Sequence, residues 1–156
     1  MNWDAIGAIG DMVAAAAVVV SLLYLAIQVR TQNREIRVSA THEILEAYRN
    51  VAIPFQSAEH ARLFVKGNQD FEYLEEWEPI QIFAIILPVL RLWEEAFHQN
   101  QSGRFDDIMW HTLSKLFADF FAAGAVQRVW VLRQNGLSDP FVTYMTGLES
   151  GEFRSE

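Results

Sequence analysis

The chain is expected to be all-α, with a long N-terminal transmembrane helix that continues into a cytoplasmic helical bundle. Three observations carry this. Ala5 to Val29 form an apolar stretch broken only by Asp11, Ser21 and Gln28. Apolar residues beyond it recur at three- and four-residue spacing, the period of a helix with one buried side. Period-two runs of β-branched residues are missing, and no Asn-Gly sits between alternating strands, so nothing marks a sheet.

A hydrocarbon core of roughly 30 Å takes about 20 apolar residues to cross. Ala5–Val29 has 25 residues, which leaves slack for tilt. Trp3 and Tyr24 stand near its two ends, where amphipathic rings favour the headgroup zone. A cleaved signal peptide is the rival reading. It wants a basic n-region, a shorter apolar core and a small-x-small cleavage site. Met1-Asn2-Trp3-Asp4 carries no Lys or Arg, and Gln28, Val29 and Arg30 make a poor cleavage site. Residues 1–30 are therefore read as a retained transmembrane helix and 31–156 as a cytoplasmic helical domain. Basic residues are absent before the span, and Arg30, Arg34 and Arg37 follow it at once. Cytoplasmic flanks carry the excess of Lys and Arg, so the N-terminus is expected outside and the domain inside, at a bacterial inner membrane. The same arginines are candidate contacts for anionic headgroups.

The first helix does not stop at the membrane. Ile36, Ala40, Ile44, Ala47 and Val51 keep the helical period, and neither Gly nor Pro occurs between Gly10 and Pro54. A helix from about Trp3 to about Val51 follows, ended by Pro54. A second helix fits Ser57 to Lys66, with Ser57 as cap and Gly67 as stop. A third fits about Glu75 to Gln101, with Pro79 near its start, a kink at Pro88 and Gly103 beyond its end. Its run Ile82–Leu90 is too short to cross a bilayer and reads as buried core. Asp106 caps a fourth helix that ends by Gly124. A fifth covers Ala125–Gln134. A sixth opens at Ser138-Asp139-Pro140 and reaches about Leu148. Trp93, Phe97, Trp110, Phe117, Phe120, Phe121 and Trp130 recur at helical spacing and are expected to build the bundle core.

Val18-Val19-Val20-Ser21-Leu22-Leu23-Tyr24-Leu25-Ala26-Ile27-Gln28-Val29-Arg30 resembles the first helix of a group of uncharacterised bacterial single-pass inner-membrane proteins. Their first helix ends in a Leu-Tyr-Leu-Ala-x-Gln-Ile-Arg-like signature. Later stretches add to the likeness: Glu94 to Phe97, Gly103, Asp106, Trp110, Val129-Trp130, and Phe141 to Tyr144. The resemblance implies the same topology and an acidic residue early in the span, the place that Asp11 holds. It brings no activity.

Composition removes several function classes. Cysteine is absent, so there is no thiolate nucleophile and no cysteine-ligated metal. With 12 basic and 20 acidic residues the net charge is −8, which argues against nucleic acid as a partner. No Gly-rich phosphate loop, nucleophile elbow or His-Glu-x-x-His motif occurs. Glu95-Ala96-Phe97-His98 matches one ligand pair of carboxylate-bridged di-iron bundles, but the second pair such a site needs is missing. His60 and His111 have no ligand-spaced partners. Catalytic, metal and cofactor residues are therefore expected to be none, and the chain is not read as an enzyme.

What remains is the span itself. Gly7, Asp11, Ala14, Val18, Ser21, Leu25 and Gln28 repeat at three and four, the a/d positions of a left-handed helix seam. Small and polar residues are what membrane helix interfaces use, so the seam predicts self-association. A carboxylate at membrane depth is a functional candidate by default. The favoured reading is a non-enzymatic interaction module, homo-oligomeric through its span, whose partners are the lipid bilayer and copies of itself. Two alternatives stand beside it. One is a cation or proton pore with Asp11 in a membrane ring. The other is an accessory subunit bound to another membrane protein.

Overall fold

The structure is a computed structural model that describes residues 3–148. Among these residues it is all-α, with six helices and three short 3-10 turns. Two compact units divide the chain: an N-terminal one ending at Ile36 and a second beginning at Arg37.

Helix α1 runs from Trp3 to Ala52, and the expected uninterrupted helix is borne out to within a residue. A 3-10 turn over Ile53–Gln56 follows, with Pro54 at its first positions. Proline lacks the N–H that another helical turn would need, so the chain turns there. Of α1, Ala40 and Ile44 are buried in the second unit. Residues 12–39 are exposed throughout.

Helix α2 covers Ala58–Gln69, and here the sequence reading is corrected. Gly67 does not stop it. A Cβ on Gly67 would come within 2.6 Å of Ile82 Cδ1 and 3.4 Å of the Ala125 Cβ. The glycine is there because α2 packs against its neighbours with no room for a methyl group. A 3-10 turn over Phe71–Tyr73 follows, opened by Asp70, whose side chain accepts from the Glu72 N–H.

Helix α3, Glu78–Gln101, is the central element. Pro79 lies in its first turn and Pro88 inside it. Ile82, Ile85, Ile86, Val89 and Leu90 are all buried, so this apolar run is core. Gly103, at φ +67°, turns the chain out of the helix end in the left-handed conformation that glycine adopts without strain.

Helix α4 spans Asp107–Phe121, and the Asp106 side chain accepts from the N–H groups of Ile108 and Met109, the cap that the sequence predicts. Gly124 opens α5, Gly124–Arg133, rather than closing α4. The Asn68 Oδ1 of α2 accepts from the Ala125 N–H at 2.9 Å, so α5 takes its first-turn cap from another helix. A third 3-10 turn, Gln134–Gly136, leads to α6, Asp139–Thr146.

The core centres on Trp93, 1% exposed. Its ring stacks on Phe117 with centroids 5.1 Å apart, and meets Phe121 and Phe141 edge-on. Phe55, Phe64 and Phe120 form a second aromatic group, with Phe64 and Phe120 parallel at 5.7 Å. Offset and edge-to-face pairs each add about 0.5–1.5 kcal/mol beyond the area they bury. Of the seven aromatics expected in the core, Trp93, Phe97, Phe117, Phe121 and Trp130 are buried, while Trp110 and Phe120 are half-buried against them.

Candidate functional site: the exposed apolar length of α1 and the polar clusters of the bundle

Helix α1 is the one helix among the described residues that is long and apolar enough to cross a membrane, and nothing buries the stretch that makes it so. Met12 is 75% exposed, Leu23 60% and Val29 52%. Apolar residues lie all round this length, with no polar side to face water. Contiguous apolar patches on soluble monomers rarely exceed about 300–600 Å². A full cylinder of Val, Leu, Ile and Ala goes well beyond that. The apolar run of α3 is the opposite case, since the fold buries it.

The predicted seam residues take their places on this helix. Ala14, Val18, Ser21, Leu25 and Gln28 are exposed. Gly7 and Asp11 fall within α1, and the surroundings of both lie outside the described residues. The chain by itself does not set the seam apart, because every side of residues 12–39 is uncovered. Among the described seam residues, Ser21 is the one whose hydrogen bonding is already engaged. Its hydroxyl donates to the Ala17 carbonyl of its own helix at 2.8 Å, so its donor needs no partner on another helix. Thr31 does the same to Ile27.

Arg30, Arg34 and Arg37 are exposed. The ion pairs among the described residues are Lys66–Glu78 and Arg91–Glu94, so none of the three arginines has an acidic partner. Arg37 lines a hollow of about 200 Å³ with Val38, Thr41, His42, Asp106 and Met109. Asp106 is already occupied there as the cap of α4.

The bundle holds a polar cluster that sequence reasoning missed. Glu94 is 8% exposed and is the one charged residue buried among those described. Its Oε2 takes the Arg91 guanidinium at 2.8 Å, and its Oε1 accepts from the Ser138 backbone N–H at 2.6 Å. His98, one turn further along α3, has its Nε2 2.8 Å from the Ser138 hydroxyl. Ser138 stands at the N-cap of α6, yet its side chain does not cap that helix. Burial pushes the Glu94 carboxyl upward. The Ser138 N–H and Arg91 outweigh that and hold it below the usual carboxylate range. A hydroxyl beside an imidazole is half of a nucleophilic pair. Here the carboxylate grips the serine backbone instead of orienting the imidazole, so the cluster joins α3 to α6. The signal in the sequence was Glu94 with His98 four residues on. The Glu95–His98 spacing set aside in the sequence lies on the surface: both residues are exposed, and Glu95 bonds Gln99. Among the described residues no three His, Asp or Glu side chains gather as a metal site requires.

A second polar group ties α2 to the start of α3. Lys66 donates to the Glu78 carboxylate, which also accepts from the Glu75 N–H at 2.7 Å. Both bonds favour the ionised form and lower the Glu78 pKa. Tyr144 moves the other way, because burial pushes its phenol up while the nearby Trp93 indole offsets part of the shift.

No family model, no curated protein and no solved structure matches the chain.

Proposed function

We infer that this chain is a single-pass membrane protein of a bacterial inner membrane, anchored by the N-terminal part of α1. It carries its helical domain on the cytoplasmic side and works as a non-enzymatic interaction module that self-associates through its span. The observation that carries the reading is the uncovered apolar length of α1. In water it would be a large aggregation liability. In a bilayer it is an anchor with its backbone bonds satisfied internally.

Orientation rests on Arg30, Arg34 and Arg37 behind the span, with no basic residue before it. Self-association rests on the run Gly7, Asp11, Ala14, Val18, Ser21, Leu25 and Gln28. Small side chains let two helix backbones approach, and the polar ones bond across them. Copies brought together on that seam would gather their Asp11 carboxylates, which is also the arrangement that a cation or proton pore requires. Association with another membrane protein would use the same seam.

The chain has no cysteine of its own, which makes the test clean. Single cysteines are placed at Ala14 and Val18 on the seam, and at Ala16 and Leu23 on the opposite side. Oxidation in native membranes is expected to give dimers from the first pair and monomers from the second. Equal cross-linking from both pairs, or none from either, removes self-association through this seam. Ion flux in liposomes, lost on Asp11→Asn, would favour the pore over the scaffold.

A further inference from the structure

Three large apolar side chains stand exposed within eight residues at the turn between α2 and α3: Tyr73 at 79%, Trp77 at 49% and Ile80 at 69%. Their neighbours Phe71 and Leu74 pack against the core, and Phe71 meets Phe83 edge-on. Hydrogen bonds hold the turn in place. Asp70 Oδ1 accepts from the Glu72 N–H, and the Glu78 carboxylate accepts from the Glu75 N–H and from Lys66. The Trp77 indole N–H donates to Glu75 Oε2 at 3.0 Å, which orients the ring. Single exposed apolar residues are ordinary on a protein surface. Trp and Tyr grouped on a held turn are what interface centres use, because covering them costs little side-chain freedom.

Charge decides the occupant. Residues 70–80 carry five acidic side chains, Asp70, Glu72, Glu75, Glu76 and Glu78, and no basic one. Asp70, Glu75 and Glu78 are engaged within the turn. Glu72 and Glu76 are exposed, and their carboxylates have no hydrogen bond or ion pair among the described residues. Trp77 also borders a hollow of about 250 Å³ where Glu59 and Glu78 offset Arg62 and Lys66, so the excess negative charge belongs to the turn. That excess repels anionic lipid headgroups and nucleic acid. Place also disfavours a membrane surface. The 24 residues of α3 carry the chain about 36 Å from this turn toward Gly103, which lies beside Arg37, where the chain enters the second unit. A basic protein segment suits both features. Its cations pair with Glu72 and Glu76 and lie over the Trp77 and Tyr73 rings. The fold makes such a contact itself on the ring that Phe71 meets: the Arg133 guanidinium stands 4.5 Å from the Phe83 centroid.

We propose that the turn at residues 70–80 docks a Lys- and Arg-rich segment of a different protein, which covers Tyr73, Trp77 and Ile80 and is selected by Glu72 and Glu76. This goes beyond self-association through α1 and does not depend on it.

The photo-crosslinking residue p-benzoylphenylalanine replaces Tyr73 in the full chain, in the intact cells that make it. Adducts formed on irradiation are mapped by peptide mass spectrometry. The same residue at Ile108, exposed at the start of α4, is the control. Position 73 is expected to give one discrete adduct, joined through a peptide in which Lys and Arg outnumber Asp and Glu. Position 108 is expected not to give it. Glu72→Lys with Glu76→Lys changes two side chains that have no partner to lose, and is expected to cut the adduct about tenfold. Glu72→Gln with Glu76→Gln should cut it less. Ile80→Ser tests the apolar part and is expected to lower the adduct several-fold. Absence of a discrete adduct at position 73 overturns the proposal, as does an adduct to lipid or to a second copy of the chain. So does a cross-linked peptide without a basic excess, the same adduct from position 108, or an adduct that charge reversal leaves unchanged. None of these outcomes bears on the cysteine cross-links of the seam, so the two readings fail separately.

Discussion

At the residue scale the most consequential side chain is Glu94. It sits beside Trp93 on α3, and both of its oxygens are used, one by Arg91 and one by the Ser138 backbone. Losing one partner of a buried hydrogen-bonded group leaves the other orphaned, at about 1–3 kcal/mol. Glu94→Ala is therefore expected to lower stability by about that much in urea unfolding. Glu94→Gln should cost less, because its amide oxygen still accepts from Ser138. The direction with pH follows from the depressed carboxyl. A group with its folded pKa below the unfolded value of about 4.3 contributes stability above that value. The contribution falls away as pH drops toward the folded pKa. The gap between wild type and Glu94→Gln should thus be widest near neutrality and close below about pH 4.3. A gap that widens in acid would refute the assignment. Gly67 offers an independent test. Alanine there gains up to about 1 kcal/mol of helix propensity but drives a methyl into Ile82 Cδ1. Overpacking costs about 1–3 kcal/mol, so the expected net is a loss of about 1 kcal/mol. Adding Ile82→Val should recover most of it, and simple additivity of the two changes would contradict the close approach.

At the element scale, what was legible in the sequence is what is local. The cap at Asp106, the proline ends at Pro54 and Pro79, and the apolar period of α3 all depend on residues within one or two turns, and all came out as read. Whatever depends on a distant segment was not legible. Gly67 and Gly124 read as helix stops because glycine usually is one. Their real causes, a neighbouring helix too near for a Cβ and a cap reaching across from Asn68, lie more than a dozen residues away. Ser138 reads as an ordinary N-cap, but its hydroxyl belongs to His98 on another helix. Asn68→Ala tests the borrowed cap. It is expected to destabilise the domain by about 1 kcal/mol and to speed amide exchange in the first turn of α5 before it does so in α4. Uniform loss of protection would mean that Asn68 acts on the whole bundle. The seam on α1 is legible only as a pattern, because a lone chain leaves all its sides equally bare. Ala14→Leu should weaken association in membranes several-fold, since a large side chain there stops the close backbone approach that small residues allow. Ala16→Leu, across the helix, should leave it unchanged.

The whole molecule combines two kinds of surface in one chain. Its second unit, from Arg37 onward, buries a core of large apolar side chains around Trp93. The N-terminal part of α1 hides none of the apolar side chains described. A chain built this way is consistent at every level once hydrocarbon surrounds one part and water the other. The most direct test is to lyse cells without surfactant and wash the membranes with alkaline carbonate, then treat intact spheroplasts with protease. The account expects the chain to stay in the washed pellet and the domain beyond Arg30 to survive the protease until the cells are opened. Recovery of the chain in the soluble fraction, or digestion of the domain in intact spheroplasts, would contradict it.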